Sequence, residues 1–110
     1  MKNIVLVEEF DFCGSIQTKK DIEVRELFAG LHRRIVEVKL VNGRALKKHM
    51  VAEPITIFCL AGHGVFRVGV ELENSQYLKP GTLISLEARI EHEVIAEPDI
   101  HFLITKFKGN

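Results

Sequence analysis

The sequence predicts an all-β domain, a sandwich or a closed barrel, on three observations. Apolar and polar residues alternate over runs of strand length. Gly, Pro and Asn punctuate those runs at near-regular spacing. No apolar pattern of helical period is long enough to form a helical layer. Closure would also remove the exposed edges that many short strands create. The expectation is a barrel of roughly eight to eleven short strands with little helix.

Taken in order, the first ambiguous stretch is Lys19 to Gly30. Ile22, Val24, Leu27 and Phe28 fit an irregular strand or a single helical turn, and the all-β surroundings favour strand. Ile35 to Leu40 alternates cleanly, with Val36, Val38 and Leu40 on one face and Glu37 and Lys39 on the other. Asn42-Gly43 marks a turn, because both residues tolerate positive φ. Leu46 to Val51 is a short segment carrying His49, and Pro54 interrupts it. Ile55 to Leu60 is a nearly continuous apolar run, as in a strand covered on both faces. Gly62-His63-Gly64 reads as a tight turn before Val65 to Val70 alternates again. Glu73-Asn74-Ser75 reads as a further turn, and Lys79-Pro80-Gly81 after Tyr77-Leu78 fits type II. Leu83 to Leu86, Glu91 to Ala96 and Ile100 to Phe107 are the last predicted strands, with Pro98-Asp99 dividing the final two.

A chain of 110 residues makes one domain, residues 1–110, with a modest core. The formal net charge is zero, and aromatics are not interleaved with basic residues, so a nucleic-acid partner is not expected. Zero net charge also removes one barrier to self-association. The apolar run in Met1 to Val7 is too short for a signal peptide, and no segment reaches the length of a membrane span. Cys13 and Cys59 form no C-x-x-C pair. A reduced, cytoplasmic protein without a membrane partner is therefore expected. Cys59, between Phe58 and Leu60, reads as a small core residue.

Two spaced sets of residues then resemble the cupin family. The first cupin motif is G-x5-H-x-H-x3-E-x6-G. Gly43, His49 and Gly62 match it at ungapped spacing, while Val51 and Ile55 stand where the second histidine and the glutamate are expected. The second motif is G-x5-P-x-G-x2-H-x3-N. Gly81 and His92 match, and Glu87, Arg89 and Ala96 replace Pro, Gly and Asn. The likeness covers about residues 26–107 and is greatest to small, single-domain, RmlC-like cupins whose first motif keeps only its leading histidine. It implies a double-stranded β-helix, the cupin jelly-roll barrel. It also implies a homodimer, with the strands expected in residues 1–25 at the interface. Met1 to Val7 supplies an apolar segment that could add to a partner's sheet.

Full-motif cupins hold a divalent metal with three His and one Glu. Here the resemblance leaves His49 and His92, brought together across the barrel, with Glu53 as the one substitute ligand. Strand parity would put His49, Val51, Glu53 and Ile55 on one inward face if the strand ran regularly through Pro54. Two His and one carboxylate would suit Fe or another divalent transition metal such as Mn, Ni or Zn. The bland alternative makes Glu53 a solvated rim residue and the histidines hydrogen-bonded pocket groups. His63, between glycines, is expected to be exposed, and His32 and His101 have no partner at informative spacing. Arg33 and Arg34 should point to opposite faces, and Arg89 is expected in a surface ion pair with Glu87 or Glu91. Ser85 has no linked histidine, and no phosphate loop or zinc motif is present.

Two functions follow from these residues. The first is a module binding a small organic ligand in a barrel lined by Val51, Ile55, Ile57, His92 and Val94, mostly apolar with few polar groups. The second is a metal-dependent enzyme of oxygenase or isomerase type using His49 and His92. The missing ligands favour the first, and whether the chain catalyses anything stays open.

Overall fold

A computed structural model describes residues 4–8, 10 and 15–109. Among these the chain is all-β, with seven strands and no helix. In chain order they are β1 (Ile22–Ala29), β2 (Arg33–Leu40), β3 (Ala45–His49), β4 (Ile55–Val68), β5 (Asn74–Leu78), β6 (Leu83–Leu86) and β7 (His92–Phe107). All pairings are antiparallel.

The strands form two layers that share their long members. β4 and β7 pair along nearly their whole length, from Ile55↔Lys106 to Val68↔His92. The C-terminal part of β7 continues through β2 to β1, and the N-terminal part of β4 pairs with β6. The other halves of the same strands pair with β3 and β5. A strand that bends between layers makes the corner of a jelly roll.

That corner explains two differences from the sequence reading. Gly62-His63-Gly64 and Pro98-Asp99 do not end strands; the chain passes through both, so four predicted strands are two long ones. The bend is absorbed by register shifts at Cys59/Ala61 and Gly62/Gly64. Gly62 has φ +76°, and a Cβ there would overlap the Asp99 carbonyl. A Cβ on Gly64 would lie 2.6 Å from the Ile95 carbonyl oxygen. These glycines allow backbones to approach rather than reverse. Asn74 and Ser75, predicted as turn, begin β5. The uncertain segment before Gly30 is strand β1, bulged between Glu26 and Phe28.

The core follows from strand parity. Val36, Val38 and Leu40 pair with Ile104, Phe102 and Ile100 on β7, which in turn oppose Ile57, Cys59 and Gly62 on β4. The apolar members of this set are buried together with Ile55, Phe66, Leu78, Val94 and Ala96. Cys59 is fully buried, and burial pushes its thiol pKa up. Cys13 lies outside the described residues.

The outer face of β2 is also covered. Val5, Val7 and Phe10 line a cavity with Leu27, Phe28, Arg33, Ile35 and Leu103, so the N-terminal segment lies against its own sheet. Of the N-terminal strands expected in residues 1–25, β1 begins at Ile22, the other described residues of that range form no strand, and residues 1–3, 9 and 11–14 lie outside the described residues. Beneath this segment Glu37 and His101 are buried, at 6% and 1% exposure. His101 Nε2 and Glu37 Oε2 are 2.7 Å apart, and Arg25 Nε donates to Glu37 Oε1 at 2.8 Å. The sequence reading gave His101 no partner; its partner lies one strand away, where spacing along the chain carries no signal.

Candidate ligand site at a histidine pair

β3 is the short strand that sets the site. It pairs with β7 at Leu46↔Val94 and His49↔His92, with a register shift between. Three residues on β3 therefore span two on β7, a bulge that sets half-buried Leu46 and exposed His49 beside the same cavity, so His49 does not point into the barrel as the sequence reading expected. His49 and His92 are direct partners on adjacent strands rather than residues meeting across the barrel. Their ring centroids lie 4.4 Å apart at 56°.

The rings are held alike. Nδ1 of His49 lies 2.8 Å from the Lys47 carbonyl oxygen, and Nδ1 of His92 lies 2.9 Å from that of Ile90. A carbonyl only accepts, so each Nδ1 carries a proton, and the tautomer so selected places any lone pair on Nε2. Their surroundings differ. His49 is exposed at the mouth of a cavity, while His92 is 2% exposed and stacks on Phe66 at 5.7 Å. Burial pulls the His92 pKa below its ordinary value, and the nearby His49 and Lys106 act in the same direction. The Ile90 carbonyl opposes them without reversing the shift.

The cavity has a volume of about 230 Å³ and lies between the layers. Val24, Val36, Val38, Leu46 and Ile104 form its apolar lining. Arg34, Lys47, His49 and Lys106 supply its polar groups, and no carboxylate lines it. Sequence reasoning missed these cations. The signal was parity, since Arg34 shares a face with Val36 and Val38, and Lys106 with Ile104 and Phe102.

The other expected site residues fall elsewhere. Ile55, Ile57 and Val94 are packed into the core, His92 is buried against Phe66, and Val51 is half-buried against the core; none of these five expected lining residues lines this cavity. β3 ends at His49, so the regular strand assumed through Pro54 does not exist. Glu53 consequently loses its parity with His49. Among the described residues no group of three or more His, Cys, Asp or Glu is placed to hold a metal ion. Two imidazoles fall short of the three protein ligands usual for a catalytic divalent site, so the donor set does not fit the metal centre of a full-motif cupin.

Three smaller expectations resolve as follows. His63 is exposed and stacks on Tyr77 at 5.9 Å. Arg33 and Arg34 do point apart, Arg33 over the Phe28 ring and Arg34 into the cavity. Among the described residues Arg89 makes no ion pair, and Glu91 pairs with Lys48 at 3.0 Å. Instead Arg89 has φ +63°, a left-handed backbone that favours the glycine expected at this position.

No protein-family model and no curated protein matches the sequence. Solved structures do match the fold. A cupin superfamily protein from Desulfitobacterium hafniense aligns with a TM-score of 0.78 at 12% identity, over 96% of this chain and 97% of that one. An RmlC-like cupin from Desulfovibrio desulfuricans aligns with a TM-score of 0.75 at 16% identity, over 93% and 97%. A conserved protein of unknown function from Streptococcus pyogenes aligns with a TM-score of 0.73 at 16% identity, over 94% and 99%. Identities this low speak for architecture and not for activity. With its layered antiparallel strands, shared long members and these neighbours, the chain has the cupin barrel fold.

Proposed function

We propose that the chain is a small-molecule-binding module whose site is the cavity beside His49 and His92. One observation carries the reading: a preformed apolar cavity meets a small set of polar groups, the usual composition of a ligand site. His49, which lines the cavity, adds an imidazole able to take part in a hydrogen bond. The cavity volume, about 230 Å³, suits a compact ligand of roughly seven or eight water volumes.

The test is ligand-observed NMR with a panel of small acids, amides and alcohols. Binding is expected in the wild type and should vanish in Leu46→Trp, which fills the cavity. Binders that leave the His49 and His92 ring signals unmoved, or that persist in Leu46→Trp, would rule this site out.

The second reading, a metal-dependent enzyme, draws on the two matching Nε2 lone pairs. Nδ1-to-carbonyl hydrogen bonds are a common way to orient metal-binding imidazoles. Water or substrate would have to complete such a site. Stoichiometric Fe, Mn, Ni or Zn in protein purified without chelator or affinity metal would favour this reading over the first.

A further inference from the structure

The geometry points to a small organic carboxylate as the occupant of this cavity, its charge held by Arg34, Lys47 and Lys106 and its hydrocarbon part against Val36, Val38 and Ile104. The inference rests on the ligand-binding reading and adds the chemical class.

The cations are placed at a cost to the fold. Arg34 and Lys106 are direct cross-strand partners on β2 and β7, and like charges facing each other across a ladder are destabilising. Glu26 relieves only part of this, meeting Arg34 Nε at 2.7 Å at a partly exposed position. Among the described residues no carboxylate forms an ion pair with Lys47 or Lys106. Away from the cavity, Arg25, Arg44, Lys48 and Arg67 each meet a carboxylate. In a protein of zero net charge, three cationic side chains and no carboxylate line this one cavity.

The rest of the lining selects among anions. Inorganic phosphate would find cations at the rim but an apolar wall behind them, which would stay unfilled. An alkyl or aryl carboxylate meets both halves, a charge-assisted contact at the rim and apolar burial behind it. Butyrate, hexanoate and benzoate are of a size that fits about 230 Å³.

The experiment is calorimetric titration of the full chain with hexanoate and benzoate, against hexanamide, benzamide and inorganic phosphate. The acids should bind on the order of tenfold more tightly than the amides of the same shape, and less tightly as salt is added. Lys106→Met should erase most of that preference, and Lys79→Met, in an exposed turn, should alter neither acid nor amide binding. Equal binding of acids and amides would overturn the carboxylate inference and leave the ligand-binding reading in place. So would a preference that survives in both Lys106→Met and Arg34→Met, or phosphate binding as tightly as hexanoate. Binding of neither acids nor amides, with unmoved His92 ring signals, would overturn this inference together with the reading beneath it.

Discussion

Burial sets the behaviour of His92. Its pKa in the folded chain lies below the ordinary value of 6.5, so between those two values the unfolded chain binds a proton that the folded chain does not. Stability therefore rises with pH across that window and is lost as pH falls through it. Thermal unfolding followed downward from pH 7 should show this loss, and His92→Phe, which keeps a ring beside Phe66, should reduce it. An unchanged slope in the variant would show that His92 is not its source. Glu37 presents the second residue-scale test. It is buried and hydrogen-bonded by both Arg25 and His101. Glu37→Ala should cost about 2–3 kcal/mol in urea unfolding, because it strands buried donors. A loss indistinguishable from that of an exposed Glu→Ala change would show that the carboxylate holds nothing in place.

Among the elements, β4 and β7 carry the architecture, since each belongs to both layers. Their shared bend depends on Gly62. Gly62→Ala combines a left-handed φ with overlap on the Asp99 carbonyl and should destabilise by about 3 kcal/mol or more. Gly43→Ala is the matched comparison. Its φ is +72°, yet a Cβ there meets nothing within 4 Å, so it should cost only the left-handed penalty of about 1 kcal/mol. Equal losses in urea unfolding would mean that the strand crossing imposes no steric demand. β3 shows how a short element defines a site, because its bulge sets Leu46 and His49 beside one cavity. That bulge arises from pairing with β7, and nothing in Ala45 to His49 read alone announces it.

For the whole molecule, we propose that two copies pair, as the resemblance to small cupins implies. Ile4, Val5 and Leu6 remain 57%, 59% and 67% exposed even though the segment lies against its own barrel. Ile22 and Val24 on the edge strand β1 are exposed as well. An apolar arm and an unpaired strand edge, without net charge to keep copies apart, favour an isologous pair. Light scattering at micromolar concentration should give twice the chain mass, and Leu6→Lys should shift it toward monomer. A monomer in the wild type would end this proposal. Among the described residues no helix is long and apolar enough to cross a membrane.

The sequence by itself determined the fold class and the inward set Val36, Val38 and Leu40, and its resemblance to cupins implied that His49 and His92 lie near each other, though not as partners on adjacent strands. Alternation of side chains is a local property of every strand, and motif spacing survives even when half of the motif residues change. Tertiary structure alone decided the rest. The Gly-flanked His63 passes as a turn in sequence because a backbone crossing and a reversal both call for glycine; the carbonyls of Ile95 and Asp99 distinguish them. Glu53 dropped out because parity holds only along an unbroken strand, and β3 stops at His49. Arg34 and Lys106 are 72 residues apart in the chain, and only the β2–β7 register places them side by side at one cavity, where local pattern has no reach.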